Sequence, residues 1–253
     1  MSWKTVRSQR ANRSRRKLSV ESLEERALLY AVTALPWPDT DLSYSIVPDG
    51  TSWSTWRGEE NQSGWYEALD GLTDSATWQR YVATAFQTWA NHSNLDFHQV
   101  DDDGSPNGNW TQEQGNVRIG AVGASAAAGW ASLPLGGRGA EITLNSESSV
   151  LRAKYWSETF FVSVLTHEIG HALGLRHSDV TGTVMGRGSS HFIGLAEDDV
   201  AGIQALYGAR EHDSFDQAAS YDLVSTASPI QWSAADGISF RADLTSYADV
   251  DHY

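Results

Sequence analysis

Cysteine is absent from the 253 residues of this chain, and its absence excludes several kinds of protein. Without cysteine the chain can form no disulfide bond and can offer no thiolate to a metal ion. Apolar runs are also short, since none approaches the length of about 18 residues that a membrane span requires. The sequence therefore predicts no transmembrane segment, and any bound metal must be held by nitrogen or oxygen ligands.

Positive charge is scarce outside the first 30 residues. The formal net charge is −14, of which residues 1–30 carry +5 and the remainder −19. Proteins that bind DNA or RNA neutralise phosphates with Lys and Arg, so the acidic body argues against a nucleic-acid partner. Hydrophobic residues make up 40% of the chain, and eleven tryptophans are among the aromatic residues, which is ample for a globular core.

Three histidines stand at metal-ligand spacing in residues 167–177, which read His-Glu-Ile-Gly-His-Ala-Leu-Gly-Leu-Arg-His. On a helix, His167 and His171 lie one turn apart on the same face, so two imidazoles can bind one ion. Gly174 suits a helix end with positive φ, and the turn that follows can deliver His177. Three imidazoles suit a single Zn²⁺ and leave its fourth position open to water, as in catalytic zinc sites.

A methionine follows this motif in the short stretch Thr-Gly-Thr-Val-Met-Gly, where it is Met185. The motif H-E-x-x-H-x-x-G-x-x-H with such a methionine turn is the pattern of the metzincins. An alternative is a thermolysin-like site with Glu197 as third ligand, but His177 makes that ligand unnecessary. Within the metzincins the chain resembles the matrixins, the matrix-metallopeptidase family, over roughly residues 36–208. The resemblance is carried by Phe-Phe-Val-Ser-Val-Leu-Thr before the motif, Ser178 directly after it, and residues 195–208.

The resemblance implies an α+β fold, a metzincin-type catalytic domain with a mixed twisted sheet, an active-site helix and a C-terminal helix. It also implies a zinc-dependent endopeptidase acting on a protein or peptide, with one catalytic Zn²⁺. In that role Glu168 would take a proton from the attacking water and pass it to the leaving amine. Residues 129–133 resemble the family's edge strand, which pairs with extended substrate. Candidate substrate contacts are Trp130, Ala131, Arg187 and Phe192.

The chain departs from its relatives in several ways. Arg187 stands two residues after Met185, where matrixins tend to have proline and serralysins tyrosine. Without cysteine, the thiolate that keeps matrixin zymogens latent cannot form. No histidine lies between His98 and His167, so we expect the second, structural zinc of vertebrate-type matrixins to be missing. The carboxylates of Asp-Asp-Asp at 101–103 could hold Ca²⁺, although a solvated turn is the simpler interpretation.

Two other functions stay open. One is a zinc-binding or adhesive module of a bacterial surface protein that has lost activity, and the other is a metzincin of another branch, such as a serralysin. Retention of Glu168 argues against the first. Ser178 after the third histidine, and the lack of tyrosine after Met185, argue against the second.

The ends of the chain suggest a secreted or cell-surface bacterial protein. Residues 1–35 form a basic, export-type segment, and Leu-Glu-Glu-Arg-Ala-Leu-Leu within it resembles the LEPR-XLL segments of large bacterial surface proteins; a disordered basic tail is the alternative. Residues 36–208 would form the peptidase domain. Residues 209–253 resemble the opening half of a bacterial pre-peptidase β-sandwich, so the chain is either a fragment of a longer protein or ends in an unstructured remnant. The oligomeric state is open.

Periodicity outlines the remaining elements. An alternation at Leu42, Tyr44 and Ile46 predicts a strand, residues 48–71 suggest a loop, and residues 74–91 carry the apolar spacing of an amphipathic helix. Short strands are expected at 95–100, 116–122, 129–133 and 141–145. The active-site helix should begin near Ser157 as N-cap, and the last helix should run from 195 to 207 with Gly208 as its stop. The resemblance to matrixins implies that Asp198 and Asp199 anchor the methionine turn and the mature N-terminus.

Overall fold

A computed structural model describes residues 36–55, 57–124, 127–134, 139–153, 156–188 and 194–211. The basic N-terminal segment, the tail beyond residue 211 and Phe192 lie outside these ranges. Within them, no helix is both long enough and apolar enough to cross a membrane.

The described chain contains five strands and four helices. In order, they are β1 (Asp41–Ile46), α1 (Trp65–Asp70), α2 (Ser75–Ala90), β2 (Asp96–Gln99), β3 (Val117–Val122), β4 (Gly129–Ala131), β5 (Ala140–Asn145), α3 (Glu158–Ala172) and α4 (Glu197–Tyr207). Every predicted strand and helix is confirmed. The interpretation of residues 48–71 as loop was wrong for α1, whose first backbone N–H groups, at Tyr66 and Glu67, donate to the carboxylate of the distant Asp49.

The five strands form one mixed sheet in the order β2-β1-β3-β5-β4. Strands β2, β1, β3 and β5 are parallel to one another, whereas β4 runs antiparallel to β5 at the edge of the sheet. The α+β architecture that the resemblance implies is therefore confirmed. β4 is an edge strand, as predicted.

The two faces of the sheet are packed differently, and β3 shows how. Its residues Val117, Ile119 and Ala121 point toward the main core, which α2 and α3 complete. The alternate residues point to the opposite face, since successive side chains of a strand do so. There Val122 joins a smaller apolar cluster with Val47 and Trp53.

A buried ion pair lies on that second face. The Arg118 guanidinium donates from Nε and Nη2 to the two carboxylate oxygens of Asp102, at 2.8 and 2.6 Å, and neither side chain is exposed. Arg118 also lies over the Trp53 ring, 5.1 Å from its centroid, and Ser45 donates to the same carboxylate at 2.6 Å. Asp102 is paired with Arg118, so only two of the three carboxylates at residues 101–103 remain for the Ca²⁺ site considered from the sequence.

Side-chain donors from other elements fix the far end of α3. Trp37 Nε1 donates to the carbonyl of Ala172 at 2.9 Å, and the Tyr207 hydroxyl donates to that of Leu173 at 2.6 Å. These two carbonyls belong to the last turn, where no intrahelical N–H group is left to bind them. Trp89 of α2 donates to the carbonyl of Thr166 in the middle of the helix. The helix that carries the histidine motif is therefore held along its length.

Candidate metal centre

Both ends of α3 form where the sequence predicts them. Ser157 is the N-cap, and its hydroxyl accepts from the N–H of Phe160. At the other end Gly174 has φ of +105°. The N–H groups of Gly174 and Leu175 donate to the carbonyls of His171 and Gly170, which is the Schellman arrangement. This turn reverses the chain within a few residues and brings His177 back to the helix.

Backbone carbonyls orient two of the three imidazoles. Nδ1 of His167 lies 2.6 Å from the carbonyl of Val184, and Nδ1 of His171 lies 2.8 Å from that of Leu175. A carbonyl only accepts, so each Nδ1 must carry the proton and each Nε2 must present its lone pair. Such bonds are typical of metal-ligating histidines.

The three Nε2 atoms converge on one point. His177 Nε2 lies 3.2 Å from His167 Nε2 and 3.3 Å from His171 Nε2. Zn–N bonds of about 2.0–2.1 Å in tetrahedral geometry place neighbouring nitrogens about 3.4 Å apart, so the spacing fits Zn²⁺. The Nε2 lone pairs of His167 and His171 point toward Nε2 of His177, and a cation between the three rings would be bound by all three nitrogens. The group is the one cluster of metal-ligand type found among the described residues.

Burial keeps these imidazoles neutral. It lowers the pKa of His171 to about 4, and the nearby His167 adds to the effect. It also lowers the pKa of His167, and that of His177, where the positive charge of Arg187 contributes further. Metal ions bind neutral imidazole, so the electrostatics of the site favour ligation at ordinary pH.

Glu168 is buried beside the cluster with an unused acceptor. It is 5% exposed, and its Oε2 has no hydrogen-bond partner among the described residues. Burial raises the pKa of Glu168 to about 8. A buried polar atom without a partner is costly unless a ligand or water satisfies it, so this carboxylate suits a site that binds both.

Met185 is buried against α3 at Gly170, which lies between His167 and His171 in the sequence. A Cβ atom added to Gly170 would fall 2.3 Å from Met185 Sδ and 2.7 Å from the Trp89 ring, so only glycine fits there. The methionine turn is itself held by Asp199, whose carboxylate accepts from the N–H groups of Val184 and Met185 at 2.8 and 3.0 Å. The predicted anchoring is confirmed for Asp199. Asp198 instead accepts from Ser178.

Comparison with known proteins agrees with this geometry. The family model described as Matrixin matches residues 66–208, more than half of the chain. The chain belongs to the matrixin family. It is therefore assigned to the metallopeptidases, and the family implies catalytic zinc.

Curated relatives of this matrixin cover different parts of the chain. Matrilysin of Mus musculus is 42% identical over 76 residues, which are 26% of this chain and 29% of that protein. Matrix metalloproteinase-2 of Drosophila melanogaster is 27% identical over 209 residues, 74% of this chain and 23% of that protein. Interstitial collagenase of Oryctolagus cuniculus is 26% identical over 240 residues, 84% and 47% respectively. The chain thus spans less than half the length of each of these relatives.

The predicted substrate contacts of this matrixin are spread over two places. Gly129 of β4 lies against the active-site helix, since a Cβ there would be 3.1 Å from Glu168 Cγ. Ala131 points to the same side as Gly129, whereas the side chain of Trp130 packs on the opposite face with Val47, Trp53 and Val122. A peptide that pairs with this edge would meet the backbone of Trp130, and the role of Trp130 in substrate binding stays a prediction.

Arg187 lies on the surface near the third histidine. Its side chain is 74% exposed, with Nε 4.0 Å from a carboxylate oxygen of Asp179, whose side chain is 92% exposed. Both residues line a shallow cavity of about 350 Å³ beside the methionine turn. The role of Arg187 as a pocket residue stays a prediction, as does that of Phe192, which lies outside the described residues.

Sequence reasoning missed two glycines of this site. Gly170 and Gly129 bring Met185 and β4 against α3, but the motif treats position 170 as free. A glycine inside a strongly predicted helix costs about 1 kcal/mol against alanine, and this could have marked Gly170 as a packing position. For Gly129 the sequence offers no comparable signal, because its neighbour Glu168 is distant in the chain.

Proposed function

We propose that this matrixin is a secreted zinc-dependent endopeptidase. The observation that carries the proposal is the convergence of three Nε2 atoms beside a buried carboxylate that has a free acceptor. His167, His171 and His177 would hold the metal. Three protein ligands leave one tetrahedral position for water, which distinguishes a catalytic zinc from a structural one.

Glu168 is the proposed general base. A bound Zn²⁺ supplies Lewis-acid chemistry, acidifying water and polarising the scissile carbonyl. Glu168 takes the proton of the attacking water and later donates it to the leaving amine, so the peptide bond breaks without a free strong acid or base. A nearby cation favours the ionised carboxylate and therefore opposes the rise in pKa that burial causes.

The edge strand β4 is the proposed platform for substrate. Its outer backbone groups have no partner strand among the described residues, and an extended peptide can add to them as a further strand. Gly129 places one end of this edge beside Glu168. Pairing through the backbone gives affinity with little sequence preference, so we expect a protein or peptide substrate cleaved between internal residues.

The other parts of the chain keep their expected roles within this proposal. Residues 1–35 would direct export from a bacterial cell, residues 36–208 would form the catalytic domain, and residues 209–253 would begin a β-sandwich. A chain beginning at Leu35 that is secreted as efficiently as the full chain would count against the first of these roles.

Replacing the general base tests the proposal. Glu168→Gln keeps all three imidazoles, so we expect one zinc per chain but a fall in kcat/KM on a generic peptide of about 10² to 10⁴. Glu158→Gln, an exposed change on the same helix, is the matched control and should retain both zinc and activity. A wild-type chain that binds zinc without hydrolysing any peptide would instead support the inactive binding module.

A further inference from the structure

The chain crosses the end of one strand on its way to the edge of the sheet. β5 lies between β3 and β4, so the connection that leaves β3 at Val122 must pass β5 before β4 begins at Gly129. The last residue of β5 is Asn145, which is 2% exposed. Asn145 therefore lies where the connection crosses.

The Asn145 side chain binds both ends of this connection. Nδ2 donates to the carbonyls of Ala124 and Ala127, at 2.7 and 3.0 Å. Oδ1 accepts from the N–H groups of Ala124 and Glu147, at 3.1 and 3.0 Å. A carboxamide has two donor hydrogens and two acceptor lone pairs, and here all four are used. Asn145 has no contact with the histidine cluster, and the mechanism above gives it no role.

The backbone of Asn145 also contributes to the hydrogen bonds that hold the edge strand β4. Its backbone N–H donates to the carbonyl of Ala128 at 2.9 Å, directly before β4. β4 itself pairs with β5 over only three residues, the first of which is Gly129 opposite Leu144. So short a strand has few bonds of its own, and the side-chain bonds of Asn145 add two anchors just upstream of it.

We propose that Asn145 is a positioning residue for the peptide-binding edge: it fixes β4 relative to Glu168 and so sets where an extended substrate lies. The inference rests on the proposed function for its effect on catalysis. Its structural part, that Asn145 holds β4, does not depend on activity. Asparagine suits the position because alanine would remove all four hydrogen bonds, and aspartate could not donate to the carbonyls.

Asn145→Ala is the direct test, with Asn107→Ala as matched control. Asn107 also bridges backbone groups with its carboxamide, at Ser54, but it does so on a different loop, with no bond to the connection before β4. Asn145→Asp keeps the size of the side chain and removes both donor bonds, so it gives the same test if the alanine variant does not fold.

Hydrogen exchange of the full chain reads out the position of β4 without any substrate. We expect Asn145→Ala to speed exchange in residues 129–131 at least about tenfold while α3 stays as in the wild type, because local opening becomes easier where bonds are lost. Asn107→Ala should leave residues 129–131 unchanged. Unchanged exchange of β4 in both Asn145 variants would overturn the proposal.

Hydrolysis of two peptides of different length distinguishes a positioning role from a general loss of structure. A long peptide that spans β4 should lose about tenfold in kcat/KM, mainly through KM, whereas a short peptide confined to the zinc side should lose less than about twofold. Zinc should remain at one per chain. Equal losses on both peptides would overturn the positioning role. If the wild type hydrolyses neither peptide, the proposed function fails, and the exchange result alone decides whether Asn145 holds β4.

Discussion

Two centres of buried ionisable groups lie on opposite faces of the sheet. On one face Arg118 and Asp102 pair through two hydrogen bonds, and further bonds from Ser45 and to the carbonyl of Ser105 use their remaining groups. On the other face three Nε2 atoms meet beside Glu168, whose Oε2 has no partner. The charged groups of the first centre find their hydrogen-bond partners within the chain, whereas Glu168 Oε2 of the second does not.

This difference separates a structural role from a functional one. Buried charge is costly unless it is paired and hydrogen-bonded, so the Arg118–Asp102 centre satisfies its own requirement. In the histidine centre, Nδ1 of His167 and of His171 donates to a backbone carbonyl on the outer side of the cluster. Its inner side presents three Nε2 atoms and a carboxylate oxygen, which suit a cation and a water molecule. Changes at the first centre should therefore alter stability and spare metal binding, and changes at the second should do the reverse.

The largest expected effect is on metal binding. His177→Ala removes one of three ligands, and we expect zinc affinity to fall at least about 100-fold, beyond the 10- to 100-fold typical of outer-shell changes. His98→Ala is the control, because His98 is exposed and paired with Asp41. Competition with a chelator of known affinity measures both. Loss of zinc from the His98 variant would contradict the assignment of the metal site to the histidine cluster.

The next effect is on stability. Arg118→Met leaves the Asp102 carboxylate buried without its partner, which typically costs about 3–5 kcal/mol in the free energy of unfolding. The double variant Arg118→Met with Asp102→Leu removes both charges and should recover part of that loss. Chemical denaturation measures the stability, and zinc stoichiometry should stay at one in any variant that folds. A stable single variant that has lost its zinc would contradict the assignment of roles.

The smallest effect is a pH dependence. Burial alone would raise the pKa of Asp102, but the bonds from Arg118, Ser45 and the N–H of Gly104 outweigh it, and the net pKa is lowered. A carboxyl with a lowered folded-state pKa adds stability above its unfolded pKa of about 3.9, and that stability is lost as pH falls through the folded value. The stability difference between the wild type and Asp102→Asn should therefore be constant from pH 7 to about 5 and shrink below about 4. A difference that grows on acidification would exclude this pairing.

The two centres also differ in how far the sequence reveals them. The zinc ligands follow from spacing within residues 167–177, because a helix and a tight turn convert short sequence separations into known distances. The core strands and α2 are equally local, since their periods of 2 and 3.6 can be counted. The fold class followed from a family resemblance that these local patterns made visible.

What the sequence did not reveal depends on partners distant in the chain. Asp102 was assigned to a turn that could hold calcium, because nothing local indicates that Arg118 reaches it from β3. The helix α1 spans six residues, too few for a period, and its N–H groups are bound by Asp49. The side of the sheet that Trp130 faces could be settled only once the register of β4 on β5 was known.

Zinc-edge X-ray absorption of the full chain with one equivalent of Zn²⁺ counts the ligands of the histidine centre directly. We expect three imidazole nitrogens at about 2.0–2.1 Å with one oxygen, and the loss of one imidazole in His177→Ala. A zinc shell made mainly of oxygen, or one that His177→Ala leaves unchanged, would contradict this ligand set.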